Sequence, residues 1–391
     1  MLHGRRGHVR SHRRVRRMPV APWIVVVVVS ALVLSGAGAG LYVALRPTCS
    51  GAVTATIIAS SGTASRLQEV SRTWSSTEPA VGGRCASVDI ESRDSPTIAE
   101  ALGAAWDIKS GGTAPDVWVP ESSAWARHAA VAVQAARMMP ELQPSVAVTP
   151  TVIAMPKPMA EALGWPGTQP TWQQFVNQIA TAPEGWARYG KPEWGPFRFG
   201  MTDPQKSTAG LLALMAILDA NDDGRVTPEE QAAAVRLSKA RAVYEETTDK
   251  IFDALASADA VGSAEVLKYV SAFPALEQDV ATYNEGNPKM PLVAVYPANG
   301  AGDADNPYLI LNAPWADPER QRVARSFLAY VRGPDGRKAF LDASFRDANR
   351  APGRGLTQAN GILPNAALLP RSAPVADSVK ESMDTWSRFV T

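Results

Sequence analysis

Beyond about residue 51, short apolar runs that are typical of strands alternate with helical patterns. The run VTATIIAS is rich in β-branched residues and precedes a turn and a helix predicted over residues 66–74. CASVDIES precedes a helix predicted over residues 98–105, and DVWVP precedes a helical segment that begins ESSAWARHA. Because strands that alternate with helices form mostly parallel sheets with right-handed crossovers, this part of the chain is predicted to be an α/β lobe.

The pattern repeats after a long extended stretch, SVAVTPTVIAMP, which is predicted to cross from one lobe to another. Residues 229–255 are rich in charged side chains and are predicted to form a helical, surface-exposed segment. Two α/β lobes are therefore expected over residues 51–350. The remaining residues, 351–391, form a tail rich in proline and glycine, with a last helix predicted over residues 375–390.

The first 45 residues follow a different pattern. Residues 1–22 carry seven arginines and no acidic residue, and residues 23–45 carry no charged side chain. About 20 apolar residues are enough to cross a bilayer as a helix, and positive flanking charge stays in the cytoplasm. We therefore predict a basic cytoplasmic tail, one transmembrane helix in the cell membrane and an extracellular main domain. A cleaved signal peptide is the alternative, although the apolar run is long for one and lacks a convincing cleavage site.

Charge and residue usage narrow the function of the main domain. The arginines of the tail exceed the net charge of +1, so the rest of the chain is acidic and a nucleic-acid partner is not expected. Cys49 and Cys85 both follow the apolar segment and flank predicted strands, which favours a disulfide bond. His128 is the only histidine beyond the tail. Since no Gly-x-Ser-x-Gly, P-loop or His/Cys cluster is present either, the protein is not expected to be an enzyme.

Small polar residues follow each predicted strand of the first lobe. They are Ser60-Ser61-Gly62-Thr63, Asp94-Ser95 and Glu121-Ser122. Ligands of open α/β sheets bind outside the carboxyl ends of the strands, so these hydroxyl and backbone N–H groups are candidates for binding a ligand. The alternative is that these residues are ordinary turn and N-cap residues.

A strand, a turn and a helix are predicted across FGMTDPQKSTAGLLALMAIL. The Asp203-Pro204 pair forces the turn, because proline fixes its own φ and restricts the residue before it. Ser207 or Thr208 is placed to cap the helix. Free N–H groups and the positive end of the helix dipole make this N-terminus a candidate site for an anionic or polar ligand.

The same helix runs into the twelve residues DANDDGRVTPEE. Their spacing supplies the oxygen ligands of a calcium loop, with Gly224 at the turn. The ligands would be Asp219, Asn221, Asp223, the Arg225 carbonyl, Thr227 and Glu230. The loop resembles an EF-hand loop and implies one structural Ca²⁺ site. No second loop is found and the next helix is poor in large apolar residues, so a sensor-type opening is not expected. A solvated, Asp-rich helix connection is the alternative.

Several short segments between residues 54 and 346 share their order and spacing with a known family. They include IASS at 58, APDVWVP at 114, VTPTVIAMP at 148, EQ at 277, LVAVYP at 292 and FR at 345. Together they resemble a type II extracellular solute-binding protein. The similarity is closest to the actinobacterial form that usually precedes a von Willebrand factor A domain. The adhesion motif Asp-x-Ser-x-Ser of that domain is not present, so such a partner would be missing, separate or replaced.

This resemblance implies the two-lobed α/β type II periplasmic-binding-protein fold. It places Ser60, Ser61, Ser95, Ser207 and Thr208 around the cleft between the lobes. The expected function is that of a membrane-anchored extracellular protein that holds a small polar or anionic solute and carries a structural calcium ion. The alternative is a calcium-stabilised interaction or scaffold protein of the cell envelope, with an envelope protein as partner and a degenerate cleft.

Overall fold

The computed structural model describes residues 49–104, 106, 112–300, 302–369, 371 and 376–390. The described residues from Ser50 onward belong to one compact unit. The predicted cytoplasmic tail and transmembrane helix lie outside the described residues. Within the described part of the chain, no helix has the length and apolar character that crossing a bilayer requires.

Most of the longer strands follow the predicted apolar runs. They are β1 (Ala52–Ala59), β2 (Ala80–Val81), β3 (Arg84–Ser92), β4 (Val117–Val119), β5 (Thr149–Pro156), β6 (Phe199–Thr202), β7 (Arg241–Glu245), β8 (Phe273–Leu276), β9 (Leu292–Val295), β10 (Asp303–Ala304) and β11 (Leu309–Ile310).

The helices before β6 are mostly short. They are α1 (Ser61–Ser75), α2 (Ser95–Gly103), α3 (Ser123–Ala129), α4 (Val133–Met138), α5 (Lys157–Ala162) and α6 (Trp172–Gln174), which continues as a π-helix over Phe175–Ala180; 3-10 turns follow at Gly185–Tyr189 and Pro192–Trp194. The later helices are α7 (Thr208–Leu218), α8 (Pro228–Ala240), α9 (Thr248–Val261), α10 (Ser263–Tyr269), α11 (Glu277–Glu285), α12 (Pro318–Val331), α13 (Pro334–Asp342) and α14 (Ala376–Val390).

The first sheet has the strand order β11-β4-β1-β3-β2. Its central strand, β1, pairs in parallel with β3 and β4, while β2 and β11 are antiparallel edge strands. Hydrophobic clusters cover it on both faces, and the last three residues of β1 are fully buried. The predicted parallel α/β arrangement is therefore confirmed for this half of the molecule.

The second sheet is built around β5, whose eight residues are all buried. β5 pairs antiparallel with β8, β9 and β10, while β6 and β7 form a separate parallel pair. β11 then returns to the first sheet, so the chain passes between the two sheets more than once. The two sheets are the centres of the two halves, and the site described below lies between them.

Two predicted helices have different bounds in the structure. The helical segment predicted over residues 229–255 is interrupted by β7, because the run Ala-Val-Tyr buries Val243 and pairs with β6. The helix predicted from residue 66 already begins at Ser61. The Ser-Ser-Gly-Thr segment that looked like a turn is therefore mostly the first turn of α1.

The predicted terminal helix is present and packs against the rest of the fold. Val379, Met383 and Trp386 of α14 are buried, and α14 contacts α3, α7 and α8. Both cysteines are disulfide-bonded, which confirms the predicted bridge between Cys49 and Cys85.

Candidate functional site

A cleft with a cavity of about 140 Å³ opens where the carboxyl ends of β1, β3 and β4 face the second half of the molecule. From the first half, the segments after these strands supply Ser60, Ser95 and Glu121. From the second half, the first turns of α7, α9 and α11 face the same space. The cleft is therefore made of strand ends on one side and helix N-termini on the other.

All five side chains predicted to contact a solute line this cleft. They are Ser60, Ser61, Ser95, Ser207 and Thr208. The fold thus brings together residues that are separated by almost 150 positions in the sequence. Their role as solute ligands stays a prediction.

Ser60 is the serine with the clearest capacity to bind. It follows β1 and occupies the N-cap position of α1, yet its side chain makes no capping hydrogen bond. The hydroxyl is buried and has no hydrogen-bond partner in the part of the chain that the structure describes. Ser61, the next residue, is exposed at the start of the same helix. A buried hydroxyl without a partner costs free energy, and a solute in the cleft would supply that partner.

Ser95, Ser207 and Thr208 also hold the walls of the cleft in place. The Ser95 hydroxyl accepts a hydrogen bond of 3.0 Å from the backbone N–H of Glu121. Ser207 caps α7 by accepting from the Gly210 N–H at 3.3 Å, and its hydroxyl also contacts two threonine hydroxyls. The Trp125 indole N–H donates to the Thr208 hydroxyl at 2.8 Å, and this hydroxyl donates to Glu121. The alternative interpretation, that the predicted site residues serve as N-caps and turn residues, therefore applies to some of the five.

Four carboxylates that were not predicted as site residues also line the cleft: Asp94, Glu121, Asp249 and Asp279. Burial raises the pKa of Glu121, and the nearby Asp249 and Asp94 add to the rise. Burial raises the pKa of Asp279 well above its ordinary value, and Glu121 and Asp249 again contribute. A sequence signal existed for Asp94 and Glu121, because both stand in the polar segments that end strands. No sequence signal marked Asp249 and Asp279 as site residues. Both are acidic residues in the first turns of helices, where acidic residues are common.

Lys206 is the basic residue that lines the cleft. Its ammonium group lies 2.5 Å from the carboxylate of Glu246, which is exposed. This ion pair raises the pKa of the lysine and lowers that of the glutamate.

The predicted calcium loop lies at the other end of α7. Gly224 has a φ of +75°, as its turn position requires. The Asp219 carboxylate accepts from the N–H groups of Asp223 and Gly224 at 2.9 and 3.1 Å. Glu230 accepts from the N–H groups of Ala220 and Thr227 at 2.6 and 2.8 Å. These acids thus satisfy backbone donors of the loop.

Charge neutralisation at this loop comes from an arginine of the C-terminal tail. The Arg371 guanidinium lies 3.4 Å from the carboxylate of Asp222 and 3.8 Å from that of Asp219. Among the described residues, no three His, Cys, Asp or Glu side chains are grouped so that they could hold a metal ion. Calcium binding therefore stays a prediction that this arrangement does not test.

A profile of the bacterial extracellular solute-binding proteins matches residues 55–346. The chain belongs to this family. An uncharacterized protein of Mycobacterium tuberculosis, found in two strains, is 24% identical to this solute-binding protein over 301 residues. The alignment covers 76% of this chain and 43% of the relative, so the solute-binding protein spans less than half of the relative's length.

Solved structures of binding proteins share the fold. The periplasmic binding protein P5PA has a TM-score of 0.56 at 13% identity, covering 86% of this chain and 99% of its own. A periplasmic thiamin binding protein has a TM-score of 0.53 at 10% identity, with 86% and 96% covered. A transporter solute-binding protein from Thermotoga lettingae, bound with tagatose, has a TM-score of 0.55 at 12% identity, with 87% and 94% covered. The predicted α/β periplasmic-binding fold is confirmed, and at these identities the likeness concerns the fold alone.

Proposed function

We propose that this protein binds a small polar solute in the cleft and presents it to a membrane transporter. The observation that carries the proposal is the buried Ser60 hydroxyl, which lines the cleft without a hydrogen-bond partner in the described structure. Family membership supports the class of function. The thiamin and tagatose binding proteins share the fold but bind different kinds of solute, so the fold alone does not determine which solute is bound.

The test is a thermal-shift screen of the full-length protein in detergent with sugars, amino acids, amines and phosphates. We expect one class of compound to raise the Tm. Ser60→Ala should weaken binding of that compound by up to about tenfold, since a neutral hydrogen bond contributes about 0.5–1.5 kcal/mol. The Tm without solute should stay equal or rise slightly, because the substitution removes a buried hydroxyl that lacks a partner.

The matched control is Ser71→Ala on the same helix, whose hydroxyl donates to a carbonyl within α1. This variant should bind the compound as the wild type does. If no compound in the screen changes the Tm, the protein does not bind these solutes. The alternative of an envelope scaffold with a degenerate cleft would then be favoured.

Two further features belong to the proposal. Residues 23–45 are proposed to anchor the protein in the cell membrane, with the basic tail in the cytoplasm. Protease added to intact cells should then degrade the main domain and leave the tail protected, whereas a mature protein that begins near Cys49 would contradict the anchor.

The loop over residues 219–230 is proposed to bind one calcium ion, and its test is given in the Discussion.

A further inference from the structure

The charge of the cleft lining is strongly unbalanced. Asp94 and Glu121 reach the cleft from the first half of the molecule, and Asp249 and Asp279 reach it from the second. The basic residue of the lining, Lys206, is already paired with Glu246. Its positive charge is therefore offset by a carboxylate that is not part of the lining.

The positive ends of the helix dipoles oppose the negative charge of the cleft lining. The size of each contribution decides the net charge that a solute meets. The helices α1, α2, α7, α9 and α11 all begin at the cleft. Each N-terminus is equivalent to about half a positive charge. Asp94 stands at the N-cap of α2, and Asp249 and Asp279 lie in the first turns of α9 and α11. When these acids are ionised, a full negative charge outweighs the dipole at three of these five helix ends.

The two remaining helix ends have a different character. The first turns of α1 and α7 contain no acidic residue, and they present Ser61 and Thr208. Ser60, whose hydroxyl is buried without a described partner, lies beside Ser61. This side of the cleft suits a hydroxyl, carbonyl or carboxylate group, which accepts from N–H groups and exchanges hydrogen bonds with hydroxyls.

The carboxylates also repel one another. Glu121 and Asp249 each contribute to the raised pKa of Asp279, and Asp94 contributes to those of Glu121 and Asp249. Burial is the largest cause of the raised pKa of Asp249; Asp253 raises it further, while Lys250 lowers it. A positively charged group between them would relieve this repulsion from both halves of the molecule at once.

We propose that the solute is a small organic cation whose amine or ammonium group lies among Asp94, Glu121, Asp249 and Asp279, while a polar group lies at Ser60 and Ser61. This inference rests on the proposed solute-binding function and replaces the expectation of an anionic ligand. An organic cation is favoured over a metal ion because the four carboxylates reach the cleft from four separate elements, around a space that also contains hydroxyl groups. An ammonium group has three N–H donors that can each donate to a different carboxylate, which fits carboxylates that reach the cleft from separate elements.

The experiment compares three compounds of similar length on the full-length protein: 1,4-diaminobutane, 1,4-butanediol and succinate. Ethanolamine and arginine add an amine with a polar group, and glucose, phosphate, Ca²⁺ and Fe³⁺ represent the other classes. Binding is measured by calorimetry and by thermal shift. We expect binding by one or more of the amines and none by the diol or succinate.

Two charge-neutralising variants test the residues. Asp279→Asn and Glu121→Gln keep the shape of the side chain, and the amide oxygen that Glu121→Gln introduces can still accept from Thr208. Each should weaken amine binding about tenfold to a hundredfold, because a charge-assisted hydrogen bond is lost. Each should also raise the Tm without solute, since repulsion is removed, and a variant that failed to fold would not do so. Glu141→Gln, on the exposed surface away from the cleft, is the matched control and should change neither value.

Binding confined to the neutral, anionic or metal probes would overturn the cationic solute and leave the proposed binding function intact. Amine binding that survives both substitutions would place the amine elsewhere and also overturn the inference. If no probe binds, the proposed function fails together with it.

Discussion

At the scale of single residues, the feature that the sequence could least predict is the buried pair of Glu277 and Arg346. The guanidinium donates two hydrogen bonds of 2.7 Å to the carboxylate, and both side chains are at most 2% exposed. Tyr296 donates to the same carboxylate, and the Arg346 guanidinium also reaches the carbonyls of Arg350 and Pro364. Glu277, Tyr296 and Arg346 all stood in segments that carried the family resemblance. Their contact was hidden because 69 positions separate the two charges.

We expect Arg346→Met to reduce the free energy of unfolding by about 3–5 kcal/mol, because it leaves the carboxylate buried without its cation. The double variant Arg346→Met with Glu277→Gln should recover part of this loss, since the unpaired charge is gone. Urea unfolding followed by circular dichroism measures both. Arg325→Met, in α12, is the control for a change of arginine alone. A double variant as unstable as Arg346→Met would show that packing, and not the unpaired charge, causes the loss.

At the scale of elements, the features that could be predicted are those that depend on residues close together in the sequence. Ser207 caps α7 as expected, and the strand ends lie at the cleft, because capping and strand alternation act over a few residues. β7 was missed, since only its pairing with β6 makes a strand of a segment with helical neighbours. The acidic lining of the cleft was missed for the same reason. Asp249 and Asp279 meet Glu121 only after the two halves of the molecule are assembled.

The loop over residues 219–230 offers an element-scale test of calcium binding. Glu230 takes part in a capping box with Thr227 at the start of α8. Glutamine can form the same capping box but lacks the charge and the bidentate oxygens that calcium needs. Glu230→Gln should therefore abolish most of the calcium-dependent rise, and it should lower the Tm without calcium somewhat, because its amide NH2 group cannot accept from the Ala220 N–H.

For the wild type, calcium at a hundred times its Kd would add about 2.7 kcal/mol to the free energy of unfolding. Differential scanning calorimetry with millimolar calcium or with a chelator measures the shift, and magnesium is the control ion. Equal Tm values for the wild type with calcium and with chelator would leave the loop as a solvated helix connection. Its charges would then be neutralised in part by Arg371.

At the scale of the whole molecule, the buried acids couple stability to pH. Burial raises the pKa of Asp303 from 3.8 to about 6, and burial raises that of Asp279 well above its ordinary value. A carboxyl group with a raised pKa holds its proton more tightly in the folded state than in the unfolded chain. Between the ordinary pKa and the raised one the folded state therefore binds more protons, so a falling pH stabilises the fold in this window. Asp317 and Asp342 have lowered pKa values, so the stability that they contribute is lost only at more acidic pH.

We expect the Tm of the solute-free protein to rise as the pH is lowered from about 8 to about 5, and to fall again in stronger acid. Between pH 8 and pH 5 the titration of Asp303 covers about one pKa unit, which corresponds to about 1.4 kcal/mol. Asp279→Asn should raise the Tm at pH 8 and make the rise toward pH 5 shallower, because the variant already has an uncharged group at this position.

Differential scanning calorimetry across the range measures both curves, with Glu141→Gln expected to follow the wild type. A wild-type Tm that falls steadily from pH 8 to pH 5, or an Asp279→Asn curve parallel to it, would contradict this account of the cleft. A bound amine should have the same effect as protonation, so the stabilisation that it gives should be larger at pH 8 than at pH 5.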